Sequence, residues 1–323
     1  QKDDAKAIEY AEKSLISNQN NLEAYQLLAV IYRLQNNKAK AIEVLNKMMA
    51  IDPLNHFAGF EKYLWHSSAA TQNDFTSLIR NEMPQETYLE LGVWYYNLNL
   101  KDEALKVFNM APQNAEVIYW KAFLENKPVD VKSINPDLAL PFRAETKDVL
   151  EVLIKTNNSW LLKYHLALIW WSRNNTGNAK KLFAQCGNEP AYAPFYATKA
   201  NLFETDAEAN LQKAIELDSM QWRYTKLLSE YYIKHNEYDK ALALAEPFYK
   251  RNPDNYIIGM LYAKTLLLNK KYAAGDALLT KINIIPFEGA TDGRGLYHEA
   301  KLMQAIQQLE KKQYKKALQF VEA

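Results

Sequence analysis

The chain has 323 residues, with Lys plus Arg at 39 against Asp plus Glu at 38, a net charge of +1. That balance argues against a nucleic-acid or anionic-membrane surface. A single cysteine, Cys186, excludes an internal disulfide framework or a multi-thiolate metal site, and no apolar run approaches the roughly 18 to 20 residues needed to span a bilayer. Gly at 9 and Pro at 11, beside 21 Tyr and 7 Trp, disfavour a turn-rich β-fold and suit long helices packed through bulky side chains. The expectation is a soluble protein, cytoplasmic or periplasmic, without membrane insertion.

In chain order, residues 3 to 17 have the pattern of a second helix lacking its partner. Residues 22 to 52 then carry two amphipathic helices. Tyr25, Leu28, Ala29 and Tyr32 share one face of the first, and Ala41, Leu45 and Met48 share one face of the second. Asn36 and Asn37 mark the turn, and Pro53 the stop. A small residue such as Ala29 or Ala41 sits where two helices cross closely, with large residues filling the space to either side. Residues 53 to 82 form a divergent, shortened pair. Tyr88, Leu91, Gly92, Tyr95, Ala104, Phe108 and Ala111 then repeat the aromatic, Leu, small, aromatic, Ala, aromatic, Ala order. After a Pro-containing connection at 127 to 142, Leu166, Ala167, Trp170, Ala179, Phe183 and Cys186 repeat it again, as do Leu228, Ser229, Tyr232, Ala241 and Ala245.

The intervals Ala7 to Ala41, Ala207 to Ala241 and Ala241 to Gly275 are each 34 residues, the period of the tetratricopeptide repeat (TPR). The expected fold is therefore all-α: one right-handed superhelical solenoid of antiparallel helix pairs over 1 to 323, about nine pairs plus a half-repeat. Irregular connections fall at 127 to 142 and at 286 to 295, the latter Gly-rich. Both ends leave an apolar face uncovered, so the segment is expected to be a fragment of a longer chain.

Three irregular stretches carry a closer resemblance: Pro141 to Thr146; Cys186 to Pro190 with Ala193 to Tyr196; and Pro286 to Arg294 followed by Tyr297 to Lys301. Together they resemble the TPR half of large bacterial proteins in which a domain of unknown function, with a mutarotase-like β-sandwich, precedes the repeats. The resemblance implies an array attached to a carbohydrate-related domain, and it implies no catalytic residue within the repeats.

Residues able to carry catalysis or bind a metal are few. Cys186 occupies a small-residue position without an activating base, which marks a buried structural thiol. His56, His66, His165, His235 and His298 show no ligand spacing, and no cofactor or metal is implied. Gly289, Gly293 and Gly295 with Arg294 lack the strand and spacing of a phosphate loop and suit a connection whose Thr291 or Asp292 caps the next helix. Gly187 marks a helix C-cap ahead of Pro190. An all-α glycosidase would need two facing carboxyl groups, for which Glu116, Glu125, Asp130 and Asp137 are the nearest candidates. The leading expectation is a non-catalytic protein-interaction or scaffold module. Its partner is a protein, a peptide or another domain of its own chain, with no nucleic acid involved. By register, Arg33, Tyr96, Tyr164, Trp171, Arg223, Lys226, Glu230 and Lys264 are expected to line the binding groove. A chaperone-tail receptor is disfavoured, because Gln26 and Val30, Leu89 and Val93, or Lys226 and Glu230 stand where a carboxylate clamp needs Lys and Asn. The alternative is a glycan or small ligand bound near Trp160, Trp170 or Trp171.

Overall fold

A computed structural model describes residues 3 to 187, 190 to 282 and 293 to 322. Among these there are nineteen α-helices and no strand, forming nine pairs preceded by a half-repeat. The residues group into two compact units, Gln1–Asn158 and Ser159–Ala323.

In the first unit a lone helix, α1 (Asp4–Ser17), precedes four pairs: α2 (Leu22–Leu34) with α3 (Lys38–Ile51), α4 (His56–Trp65) with α5 (Ala69–Thr76), α6 (Pro84–Asn97) with α7 (Lys101–Met110), and α8 (Ala115–Glu125) with α9 (Ala144–Thr156). The 127 to 142 connection separates the members of the last pair. It contains a short 3-10 turn at Val131–Ser133. The second unit has five pairs: α10 (Trp160–Ser172) with α11 (Thr176–Gln185), α12 (Ala193–Leu202) with α13 (Ala207–Leu217), α14 (Trp222–Lys234) with α15 (Tyr238–Arg251), α16 (Tyr256–Leu268) with α17 (Tyr272–Leu279), and α18 (Gly293–Glu310) with α19 (Tyr314–Glu322).

Local chemistry sets the helix boundaries. Asn21, Asn37, Asn55, Asn175 and Asn255 each accept a hydrogen bond from a backbone N–H three residues on, satisfying one of the orphan donors at a helix start. The turn inside the pairs is a repeated device. A residue in the left-handed region follows the first helix, and the N–H after it donates back to a carbonyl five residues earlier. The bonds are Asn37 to Tyr32, Leu100 to Tyr95, Asn175 to Trp170, Glu237 to Tyr232, Lys271 to Leu266 and Gln313 to Gln308, all at 2.8 to 2.9 Å. The left-handed residue is Asn36, Asn99, Asn174 and Asn236 in four cases, as expected of the residue type that tolerates this conformation best after Gly. Lys270 and Lys312 hold the same position without that tolerance. Gly187 ends α11 at φ +62°, the C-cap expected from the sequence.

Close crossings fall at the small residues that carry the period. Ala29, Ala41, Ala104, Ala167, Ala179, Ala241 and Ala263 are all fully buried. Gly92 lies under the Phe108 ring so closely that a methyl group there would collide with it, and Gly275 meets Leu267 in the same way. The sequence places Gly293 and Gly295 in a connecting loop, but they open α18 instead. Thr291, Asp292 and the rest of that connection lie outside the described residues.

The shortened pair α4–α5 is compensated by aromatic packing. Phe57, Phe60 and Phe75 are buried with Tyr88 and Tyr95, and Phe60 meets Phe75 at 5.3 Å and Tyr95 at 5.4 Å between ring centroids. Edge-on and tilted contacts of this kind add about 0.5–1.5 kcal/mol each beyond the area they bury.

Two stability measurements check this packing. Ala104→Leu and Ala241→Leu should each overpack a crossing and cost about 1–3 kcal/mol in chemical denaturation. An unchanged midpoint in either would contradict the register. Conversely, Lys270→Gly should stabilise by about 0.5–1 kcal/mol, because relief of left-handed strain exceeds the entropy cost of glycine at that point.

Candidate functional site

The first unit holds two clusters of buried polar side chains. Arg33 on α2 donates from Nε to Glu61 Oε2 on α4 at 2.8 Å and from Nη1 to Glu103 Oε1 on α7 at 2.9 Å. The Tyr95 hydroxyl donates to the other Glu61 oxygen at 2.6 Å. Glu61 is fully buried, and Arg33 is only 14% exposed. Burial, the largest single effect, works against the Arg33 charge, but the charge of Glu61 together with the hydrogen bonds to Glu61 and Glu103 and the neighbouring Tyr95 outweighs it and holds the guanidinium above its ordinary range. Two planar, forked contacts of this kind favour arginine over lysine. The sequence expects Arg33 to face an open groove. It is instead a structural tie across three repeats, because the short α4–α5 pair lets Glu103 of α7 reach α2.

A second buried cluster lies where the 127 to 142 connection enters α9. Glu116 is 1% exposed, and it accepts from Thr146 Oγ1 at 3.3 Å. Thr146 Oγ1 in turn accepts from Trp120 Nε1 at 3.1 Å. Beside it Arg143 pairs with Glu86 at 2.8 Å. Burial first, and then the Glu86 charge, push the Glu116 carboxyl up to about 7, while Arg143 and Thr146 oppose the shift. The other acids of the glycosidase alternative have separate roles. Glu125 pairs with Lys127 at 2.9 Å, Asp130 caps the 3-10 turn, and Asp137 is exposed. Glu116, sealed against Thr146, does not face an open cleft.

The aromatic candidates divide. Tyr164 is 1% exposed and packs in the core against Phe183 at 5.7 Å and Phe195 at 5.5 Å, so it cannot line a groove. The register places it on the inner face, but the bulky Phe195 of α12 closes over it. Trp160 is half-buried and packs on Tyr164, Tyr192 and Phe195 at 6.3 to 6.4 Å. Tyr96 is half-buried against Trp120 at 5.0 Å. Trp171 is half-buried at the end of α10. Cys186 is 2% exposed and donates to the carbonyls of Leu182 and Trp160. His165 is fully buried, and desolvation drives it down to about 3.

The open polar surface is in the second unit. Arg223 and Glu230 on α14 and Lys264 on α16 are exposed, and Lys226 is half-buried. Lys226 pairs with Glu230 at 2.7 Å, and Arg223 lies 4.6 Å over the Trp222 ring. Beside Glu230 a recess of about 520 Å³ opens between α14 and the preceding pair, within the size range of ligand sites. Its floor is Ala200, Leu202, Ala207, Leu211 and Leu227, and its rim carries Lys180, Glu204, Tyr231, Lys234 and His235. Lys234 pairs with Glu204 at 2.8 Å. His235 stacks on Tyr231 at 4.2 Å and keeps its Nδ1 2.8 Å from the Tyr231 carbonyl oxygen. The rim residues are absent from the sequence-based groove. One signal for them was present: Lys226, Glu230 and Lys234 form an i, i+4, i+8 ladder on α14. Glu204 and Lys180 belong to earlier repeats and join the site only through packing.

Among the described residues no three His, Cys, Asp or Glu side chains converge as metal ligands, and no helix is long and apolar enough to cross a membrane. Residues 226–279, which span most of α14 through α17, match the tetratricopeptide repeat family model. No curated protein matches the sequence. Similar solved structures include a thermophilic TPR protein of Thermus thermophilus, TTC0263, at 22% identity, covering 57% of this chain and 99% of that one, with a TM-score of 0.34. Naa15/Naa10 bound to HypK-THB is 12% identical over 94% of this chain and 44% of that one, with a TM-score of 0.39. The P58(IPK) TPR domain is 12% identical over 94% of each chain, with a TM-score of 0.30. The helix pairs and their turn define an all-α helical-repeat protein, within which residues 226–279 match the tetratricopeptide repeat model.

The two shifted buried groups predict opposing pH effects. Glu116 binds its proton more tightly folded than unfolded, so its contribution is full below the ordinary carboxyl value of 4.5 and is lost as pH rises through about 7. His165 acts the other way: its contribution is full above 6.5 and is lost as pH falls towards about 3. The slopes oppose each other between 4.5 and 6.5, so a variant must isolate one. Glu116→Gln should match the parent near pH 5 and exceed it by about 1–3 kcal/mol near pH 8 in paired urea titrations. Equal stability at both pH values would show that Glu116 does not carry a buried charge.

Proposed function

We propose that this chain is a protein-interaction or scaffold module that holds a partner segment on the α14–α16 face of its second unit. The observation that carries the reading is the charge ladder of Lys226, Glu230 and Lys234 beside the apolar-floored recess. Charged side chains on rigid helices, next to a concavity with an aliphatic floor, supply the directional contacts and the buried anchor that a protein partner requires. Arg223 and Lys264 extend the same polar surface and are assigned to it, and Trp171 is a second-rank contact because it is half-buried; Tyr96 belongs to the first unit and is not assigned to this face. The partner is a protein or peptide. In a longer polypeptide, following the resemblance of the irregular stretches, it is the carbohydrate-related domain of the same chain. Direct glycan binding near Trp160 has less support, since that ring is packed among Tyr164, Tyr192 and Phe195.

Parallel affinity capture from source-cell lysate, with the parent and with a Lys226→Glu, Lys264→Glu double variant as baits, tests the assignment. A protein held by the parent and lost by the variant, at equal thermal stability, is the expected result. Identical retention by both baits would remove the α14–α16 face from the binding surface.

A further inference from the structure

Resting on the reading of the second unit as a protein-binding module, we infer that the recess beside α14 takes an acidic segment with an aliphatic anchor: a Leu-type side chain seated on the floor, flanked by Asp or Glu. The floor sets the first half of this specificity. Leu202 and Leu211 are 5% exposed, and Ala200 and Ala207 between them leave the central space open where larger residues would fill it. Leu227 is half-buried at the edge of the same floor. A branched aliphatic side chain entering here replaces water against Leu and Ala methyl groups, at about 25 cal/mol per Å² of apolar surface removed from water. Tyr231 is not free to stack on an aromatic guest across its whole ring, because His235 already lies against it at 4.2 Å.

The rim sets the second half, by charge. It carries two carboxylates, and each already has a lysine: Glu204 pairs with Lys234 at 2.8 Å and Glu230 with Lys226 at 2.7 Å. Lys180 has no carboxylate partner among the described residues. Its ammonium sits 5.6 Å over the Phe203 ring, which leaves its other donors to solvent. Among the residues lining the recess, Lys180 and Lys234 match Glu204 and Glu230 in number; because Glu230 is held from outside the lining by Lys226 and Glu204 by Lys234, Lys180 is the lysine left for an incoming acid. An incoming carboxylate meets an uncommitted ammonium. An incoming cation would have to displace Lys234 or Lys226 from an existing pair. Exposed pairs such as Lys234–Glu204 are individually weak, so the rim can rearrange around a bound acid at little cost. The preference is expressed mainly as encounter rate and specificity, and it falls with salt.

Fluorescence anisotropy with three labelled peptides of equal length tests the inference on the chain itself. One carries a Leu pair flanked by Glu, one the same Leu pair flanked by Lys, and one the Glu flanks around a Ser pair. The Glu–Leu peptide should bind about tenfold more tightly than either of the others, lose most of that margin on Lys180→Glu, and weaken as salt is raised. Lys180 is exposed, and a matched thermal midpoint for Lys180→Glu would separate lost recognition from lost folding. Equal binding of the Glu–Leu and Lys–Leu peptides, or no effect of Lys180→Glu, would overturn the acidic-partner inference. A partner captured through Lys226 and Lys264 would still stand in that case. No binding of the Glu–Leu peptide to the parent would overturn the recess as the anchor site, and the lysate capture would then judge the wider reading on its own variants.

Discussion

The architecture depends on one repeated constraint, the backbone hydrogen bond that closes the turn inside six of the nine pairs. By returning an N–H to a carbonyl in the last turn of the first helix, it consumes an otherwise orphan acceptor and fixes the direction in which the second helix leaves. The bond from Asn37 to Tyr32 and its counterparts from Leu100, Asn175, Glu237, Lys271 and Gln313 have nearly the same length. With that geometry fixed, the second helix of a pair meets the first at a set position, and only a small residue fits there. Ala29 and Ala41, Ala167 and Ala179, and Ala263 with Gly275 answer the same steric demand. A solenoid that repeats one local solution in this way gains its stability chiefly from neighbours in the stack.

Departures from the repeat determine where the two units differ. In the first unit the short α4–α5 pair brings α7 within reach of α2. The space is filled by aromatic rings and by the Arg33–Glu61–Glu103 tie. A buried ion pair of this kind is weak evidence for net stability, because desolvation offsets much of its attraction. What it does supply is specificity: removing one partner would strand a buried charge, so the three repeats hold one relative arrangement. The Glu116 cluster is a second buried polar arrangement in the same unit. In the second unit Arg223 and Glu230 on α14 and Lys264 on α16 stay exposed, because the pairs there run in regular register.

For binding, this division matters more than overall charge. The formal charge of +1 conceals a local arrangement in which, among the described residues, the acids at the recess mouth are paired and Lys180 has no carboxylate partner. Net composition argues against a general polyelectrolyte surface, but it could not describe this rim. The chemistry of the recess comes from three successive repeats, each contributing residues that are ordinary alone.

The sequence by itself determined the helix pairs, their number and their close crossings. The reason is that period, small-residue positions and turn residues are local, and each repeat states them again: α2–α3 and α14–α15 could be placed from Ala29, Ala41, Ser229 and Ala241 alone. It also put Arg223, Glu230 and Lys264 on the exposed side of their helices, because outward positions on a regular helix follow from register. Only the tertiary structure decided the fate of Arg33 and Tyr164, which occupy groove positions by register but are covered by Glu103 and Phe195 from other helices. It alone brought Glu204 to Lys234 across thirty residues and set Lys180 at the same mouth. Burial and pairing between repeats depend on the lengths of the intervening helices and on which side chain reaches the shared space first, and neither quantity has a periodic signature.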